Sequence, residues 1–369
     1  MAKLAEQHGF LENNSLGSYI SVHPVLMVFG VIGGLLIAEK IEIMNRFLIF
    51  RRVPVSYPIL VTILTGIVSL SLGYAVGLAV LRYAGTGLIA TAGLLFMWFM
   101  VSRRNPGNVW VKLIMGSALA AFSIGSIAES MISATKSPAV ALLLLSFPII
   151  YILGERIELG LMRNISKSTM KLLVFSSAVI PFILFASSLY GRTLAGRILF
   201  DASIVFVLIM VITSIKFDPS TRKMKVSGKL QSFMQSGIIS SYIWLLTGIF
   251  LYLMQVNVER GFMDPATHSI ALGFIGLFII AHSPIIFPLT LKLKADTSRV
   301  TKFPIYAMNI AVFLRVGGDL ISMKYGVGNL MAYSSVYMLI IAIVLFFFNI
   351  LRIRQSPGTE SKGMARNIT

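Results

Sequence analysis

The chain has 369 residues, of which 56% are hydrophobic and 12% are charged, and its mean hydropathy is +0.85. Soluble domains carry about 25% charged residues, so a water-soluble globule of this composition would have too little polar surface to cover itself. The sequence lacks cysteine, which excludes disulfides, covalent c-type haem attachment, thiolate zinc sites and cysteine-ligated iron–sulfur clusters. The composition therefore predicts an integral membrane protein.

Eleven apolar runs are long enough to cross a hydrocarbon core about 30 Å thick as helices of about 20 residues. They cover residues 20–39, 57–81, 84–102, 109–133, 138–161, 170–190, 194–216, 233–255, 265–291, 303–323 and 330–351. The loops are short, so the sequence predicts an all-α polytopic membrane helix bundle over residues 20–352 of a multi-pass protein of the cell membrane. Residues 1–19 are polar without a cleavable leader, and residues 353–369 are rich in Ser, Gly and Lys. They predict an extracytoplasmic segment and a disordered cytoplasmic tail.

The formal net charge is +18, and the basic residues concentrate on one side of the predicted bundle. Alternate loops and the C-terminal tail hold 24 of the 32 Lys and Arg residues, whereas the opposite loops hold seven. Short cytoplasmic loops are enriched in Lys and Arg, so this split predicts an N-terminus outside and a C-terminus in the cytoplasm. The excess of basic residues is explained by the topology and by contacts with the lipid bilayer. We therefore expect no nucleic acid partner.

Predicted spans one and nine resemble one another and form a parallel internal repeat. Residues 30–39 align without gaps on residues 273–282, and five of the ten positions are identical. The aligned glycines are Gly30, Gly33, Gly273 and Gly276. Each copy has a histidine before its first glycine, His23 in span one and His268 in span nine. Glycine at i and i+3 leaves a smooth face on which either another helix or a flat cofactor can lie.

The predicted topology sets the depths of the histidines. Odd-numbered spans run from outside to inside, so His23 and His268 are expected near the outer boundary. His282 lies 14 residues beyond His268, which on a regular α-helix is about 21 Å deeper and about 40° away around the axis. His268 and His282 therefore cannot share one metal ion. The sequence predicts an outer His23–His268 pair and places His282 at a second, inner level.

Ionisable side chains at membrane depth are costly and are candidates for function. One such cluster is expected at the inner ends of spans one and five, at a level similar to that of His282. Its members are Glu39, Glu155, Arg156 and Glu158. The open alternatives are salt bridging between helix ends, with Arg156 neutralising two carboxylates, a metal or haem site with His282 as ligand, and a proton entry route.

Three further polar residues have specific expected roles. In span ten, Arg315 and Asp319 are four residues apart and are expected to pair. Alternatively, Arg315 receives an anionic group such as a haem propionate. Asp264 precedes Pro265, and this order predicts Asp264 as the N-cap of span nine with proline at the first helical position.

Three segments resemble the NnrS family of polytopic membrane proteins. They are residues 23–40, 147–158 and 267–288. The resemblance implies non-covalent, b-type haem ligated by His23, His268 and His282, copper in some members, and a link to nitric oxide and denitrification. The family usually has twelve spans, whereas this chain predicts eleven. With only four histidines in the sequence, a copper ion would need methionine or carboxylate ligands.

Three functions follow from these features. The favoured one is a haem protein that handles nitric oxide or a similar small gas, or that passes electrons from a donor. A single histidine ligand with an open position favours gas binding, and two histidines favour electron transfer. The second is a cofactor-free transporter or channel, with the charged residues lining the path. The third is an accessory subunit that assembles with membrane-protein partners.

Overall fold

The computed structural model describes residues 22–47, 56–101, 108–161, 164–221, 228–258, 261–290, 301–325 and 327–352. Over these ranges the chain is helical and has no strand, and eleven helices are long and apolar enough to cross a membrane. They are α1 (Val22–Ile41), α2 (Ser56–Val76), α3 (Ala79–Val101), α4 (Val109–Met131), α5 (Pro138–Gly160), α6 (Lys167–Tyr190), α7 (Leu194–Phe217), α8 (Lys229–Asn257), α9 (Met263–Pro284), α10 (Phe303–Tyr325) and α11 (Asn329–Arg352). The predicted all-α fold and the number of spans are confirmed. The predicted terminal segments, 1–19 and 353–369, lie outside the described residues.

Side-chain caps explain where four of these helices begin. In each case an Asn, Ser or Thr oxygen accepts a hydrogen bond from a backbone N–H of the first turn, which has no partner within the helix. The caps are Asn108 for α4, Ser137 for α5, Ser166 for α6 and Thr193 for α7. Pro138 follows the cap of α5, where its missing N–H leaves no bond unmade.

The turn between α2 and α3 comes earlier than the sequence predicts. Gly77 has a φ of +75°, a conformation that residues with a Cβ rarely adopt, and it ends α2 after Val76 rather than at residue 81. As a result Arg82, expected in the loop, lies in the first turn of α3.

The chain divides into two compact units. Unit 1 comprises Met1–Pro219 and Leu246–Ala271, and unit 2 comprises Ser220–Leu245 and Leu272–Thr369. One boundary follows α7, between Pro219 and Ser220, and the other two fall inside α8 and α9, so each of these two helices contributes one part to each unit.

Helix α5 forms the centre of unit 1. It is the most buried of the eleven spans and packs against α4, α6, α7, the N-terminal part of α1 and the start of α9. A chain of aromatic rings runs through this core, from Phe29 to Phe122, Phe147 and Tyr151. Successive ring centroids are 5.0, 4.9 and 5.9 Å apart, within the range for favourable edge-to-face contact. Helix α5 therefore positions the polar residues of unit 1.

In unit 2, helices α10 and α11 form a tight antiparallel hairpin. Gly318 permits the close approach, because a Cβ there would lie 2.4 Å from the backbone nitrogen of Ala332. At the other end, the Asn349 side-chain amide donates to the carbonyl of Thr301 at 2.8 Å and accepts from its backbone N–H at 3.2 Å. These contacts fix the register of the hairpin.

Candidate functional site

Helices α1 and α9 share the same backbone irregularity. Eight residues of each are π-helical, Leu26–Gly33 in α1 and Ser269–Gly276 in α9. When Gly30 is aligned with Gly273, the two π segments begin and end at equivalent positions. Long π segments are rare and are frequently found at functional sites. The internal repeat expected from the sequence therefore has a common local structure, and a histidine lies just before each π segment.

The start of α9, which carries His268, is held in place by α8. The Tyr252 hydroxyl bonds the Thr267 hydroxyl at 2.7 Å, and Thr267 donates in turn to the carbonyl of Met263 at 2.8 Å. The Gln255 side-chain oxygen accepts from the backbone N–H groups of Gly261 and Met263, at 2.9 and 3.0 Å. The turn that precedes His268 is thereby fixed on both sides.

The imidazole of His268 is oriented through its Nδ1 atom. This atom lies 2.9 Å from the carbonyl oxygen of Asp264 and 3.0 Å from its carboxylate. Because both partners are acceptors, Nδ1 carries a proton, and in the neutral form of the ring the lone pair is on Nε2. Metal-bound histidines are typically held in this way, with one ring nitrogen donating to a carbonyl or carboxylate.

The predicted role of Asp264 as an N-cap is wrong. Helix α9 begins at Met263, its N-cap residue is Phe262, and no side chain caps it. Asp264 is instead in the first turn, where a carboxylate is favoured by the helix dipole and where it lies four residues before His268. The four-residue spacing that allows the contact between Asp264 and His268 is visible in the sequence, where the run from 264 to 268 reads Asp-Pro-Ala-Thr-His.

The other two candidate histidines have different surroundings. His23 is exposed in the first turn of α1. His282 is half-buried, its Nδ1 lies 3.0 Å from the carbonyl oxygen of Phe278, and its ring stacks on the Phe278 ring at 4.1 Å. By the same reasoning as for His268, the proton of His282 is on Nδ1. The predicted rotation between His268 and His282 assumed a regular α-helix, and the π segment between them removes that assumption.

The aligned glycines differ in what they face. A Cβ on Gly33 would lie 2.9 Å from the Phe122 ring, and a Cβ on Gly273 would lie 2.5 Å from Trp244. Aromatic side chains occupy the space beside both glycines, as expected if these glycines serve helix packing. Gly30 has only Ile67 atoms near it, at 3.9 Å. Gly276 is half-buried at the end of the π segment of α9.

The inner polar cluster of unit 1 is organised around Lys40. The Lys40 ammonium lies 3.7 Å from both the Glu155 and the Glu158 carboxylates, and Glu39 lies close enough to Glu155 to interact with it electrostatically. The Tyr151 hydroxyl, buried beside them, donates to the carbonyl of Leu36 at 3.5 Å. Three carboxylates thus surround one lysine at the junction of α1 and α5.

Arg156 makes a separate, buried ion pair with Asp218. The Arg156 Nε donates to one Asp218 oxygen at 2.7 Å and the terminal Nη2 donates to the other. The side chains are only 3% and 0% exposed. The sequence analysis missed Asp218, although it stands alone among the basic residues between spans seven and eight. This two-point contact ties the C-terminal end of α5 to the C-terminal end of α7.

In unit 2, Arg315 and Asp319 pair as expected. The guanidinium and carboxylate are 3.3 Å apart on one face of α10, and both side chains are largely buried, at 22% and 14% exposure.

An all-helical chain with eleven helices of membrane-spanning length and composition is a multi-pass membrane protein. A family model described as a domain of unknown function, DUF8744, matches residues 9–351. The chain belongs to this family. No curated protein and no solved structure gives a significant match.

Proposed function

We propose that this protein binds non-covalent, b-type haem near the outer ends of α1 and α9 and handles nitric oxide or a similar small gas, or passes electrons. The observation that carries the proposal is the orientation of His268, whose Nδ1 donates to Asp264 and thereby leaves Nε2 as the ring nitrogen for a metal. The resemblance to the NnrS family supports it. The proposal includes the topology expected from the basic residues, with the N-terminus outside the cell membrane and the C-terminus in the cytoplasm.

The residues present fit an axial ligand to haem iron. Neutral imidazole with a fixed tautomer is the usual protein ligand of b-type haem, and the contact with the Asp264 carboxylate orients the His268 ring. A flat group also needs an open helix face. Gly33 and Gly273 are filled by aromatic rings, so Gly30 is the glycine of these three with room beside it.

The other candidate residues take subsidiary roles in this proposal. His23 is the second ligand at the outer level, and His282 serves a site at an inner level. Arg315, in unit 2, is a candidate for receiving an anionic group within that unit. Copper, where it binds, needs methionine or carboxylate ligands in addition to histidine.

The haem, when bound, supplies the iron that coordinates the gas or carries the electron. The protein's own residues determine which of these occurs. If His268 is the only ligand, one position stays open for gas. If His23 completes the set, both positions are filled and electron transfer is favoured. Tyr252 and Gln255 keep the start of α9 fixed in either case.

Haem content per chain tests the proposal directly. We expect purified protein to show a Soret band, His268→Ala to lose it, and Asp264→Ala to bind haem roughly tenfold more weakly, because removing a group that orients a ligand typically costs 10- to 100-fold in affinity. Adding nitric oxide should shift the wild-type band if a position is open.

The matched control is Asp201→Ala, which removes a carboxylate held by Asn257 elsewhere in unit 1. It should leave the haem content unchanged. Protein that is correctly folded and free of haem, or a Soret band that survives in His268→Ala, would contradict the proposal.

A cofactor-free transporter is the second candidate, and the arrangement around Lys40 favours it. Three carboxyl groups lie beside one lysine where helices α1 and α5 meet, and ionisable residues in spans often mark a transport path. Haem-free protein that moves a solute into liposomes, and loses this activity in Glu155→Gln, would support it. Stoichiometric partners that purify with the chain would instead support an accessory subunit.

The topology is tested with reporters fused to the C-terminus. A fluorescent protein that folds only in the cytoplasm is expected to be bright there, and a phosphatase that is active only outside is expected to be inactive. Fusions after Lys136, in the loop between α4 and α5, should give the opposite result. Active phosphatase at the C-terminus would overturn the predicted orientation.

A further inference from the structure

A buried carboxylate at the end of α4 is only half satisfied. Glu129 is 2% exposed, and its Oε2 accepts a hydrogen bond from the backbone N–H of Ala134 at 2.6 Å. Its other oxygen, Oε1, is buried as well and has no hydrogen-bond partner. A carboxylate that is removed from water without a compensating positive charge is destabilised in its ionised form, so it either takes up a proton or binds a cation.

The side-chain groups beside Glu129 are hydroxyls. The hydroxyls of Tyr74 from α2 and Ser133 from the following loop lie next to the carboxylate. Ser133 is itself held by the Thr135 hydroxyl at 3.0 Å. Carboxylate and hydroxyl oxygens, without nitrogen or sulfur, are the ligands that hard cations prefer.

The helix end also favours a positive charge at this place. Glu129 lies in the last turn of α4, which ends at Met131. The C-terminus of a helix carries a partial negative charge, so a carboxylate there is unfavourable and a cation is favourable. The guanidinium of Arg82 is 5.4 Å from the centroid of the Tyr74 ring, where it is engaged by the aromatic face.

We propose that Glu129, Tyr74 and Ser133 bind one alkali-metal cation at the end of α4. The proposal is independent of haem, since it uses none of the residues assigned to that site. The cation neutralises the buried carboxylate, compensates the negative end of α4, and links α2, α4 and the loop that leads into α5.

Thermal unfolding in different salts tests this site. The haem-loaded or as-purified protein is compared in NaCl, in KCl and in N-methyl-D-glucamine chloride at equal ionic strength. Binding to the folded state only should raise the Tm by about 2 °C at a cation concentration ten times the Kd. Comparison of the NaCl and KCl arms identifies which cation the site takes.

Variants separate this site from general salt effects. Glu129→Gln should abolish the difference between the salts, whereas Asp201→Asn, a partnered carboxylate on α7, should keep it. If Glu129→Gln does not fold, Tyr74→Phe serves instead. It keeps the carboxylate and should raise the half-saturating cation concentration roughly tenfold, as expected for the loss of one oxygen ligand.

Three results would overturn the proposal. One is a wild-type Tm that is equal in all three salts. The second is a salt difference that persists unchanged in Glu129→Gln. The third is an unchanged half-saturating concentration in Tyr74→Phe. A Glu129→Gln protein that loses its cation response while it keeps its haem spectrum would separate this site from the proposed haem site.

Discussion

Arg156→Ala is expected to destabilise the protein by about 3–5 kcal/mol, the usual cost of removing one member of a buried ion pair. The reason is that Asp218, which is 0% exposed, would keep its charge without the two-point contact that neutralises it. Asp218→Ala should cost a similar amount, since the buried guanidinium would then lose that contact. Thermal unfolding in detergent, followed by tryptophan fluorescence, measures both effects.

The double variant Arg156→Met/Asp218→Leu is the informative comparison. Replacing both charges with apolar side chains leaves neither charge buried, so it should recover much of the stability that each single variant loses. Asp201→Ala, which removes an exposed partner of Asn257, should change stability by less than about 1 kcal/mol. If Arg156→Ala is no more destabilising than Asp201→Ala, the pair does not stabilise the junction of α5 and α7.

Two aligned glycines are expected to respond oppositely to the same substitution. Gly273→Ala should destabilise the protein by about 1–3 kcal/mol, because the new Cβ would lie 2.5 Å from Trp244, which is held by a hydrogen bond from its Nε1 to Asn309 at 2.9 Å. Gly30→Ala occupies the equivalent position of α1 and meets only Ile67 at 3.9 Å. It should be neutral or stabilising by up to about 1 kcal/mol, as alanine favours a helix over glycine.

Unfolding midpoints of the two variants give this comparison, and Gly33→Ala extends it. The Cβ of that variant would meet Phe122 at 2.9 Å and the Val28 carbonyl at 2.7 Å, so it should behave like Gly273→Ala. If Gly30→Ala folds normally but binds less haem, the result would also favour the Gly30 face as the haem surface. Equal destabilisation by Gly30→Ala and Gly273→Ala would contradict the described packing.

The fold was largely predictable because it follows from composition. Each span is an apolar run of about 20 residues, and charge and turn residues mark the loops, so the number of helices follows from hydropathy. The errors occurred where one residue controls the backbone. Gly77 ends α2 early by adopting a positive φ, and this brings Arg82 into α3. A hydropathy pattern carries no information about the φ angle of one glycine, so the early end of α2 could not be predicted from it.

The candidate site was less predictable, because its partners are distant in sequence. The sequence correctly paired Arg315 with Asp319, which are four residues apart on one helix. It did not pair Arg156 with Asp218, which are 62 residues apart, and it gave Lys40 no role between Glu155 and Glu158. The π segments were not predicted either, since a helical repeat pattern does not distinguish an i→i+4 from an i→i+5 hydrogen-bond ladder.

Because their π segments match, α1 and α9 can be compared residue by residue beyond the aligned glycines. Counting on from Gly33 and Gly276, Glu39 in α1 occupies the place that His282 occupies in α9. One copy of a shared helical framework therefore ends in an acid beside a lysine, and the other ends in an imidazole stacked on a phenyl ring. The two copies therefore share a backbone geometry and differ in the chemistry of the side chain at this position.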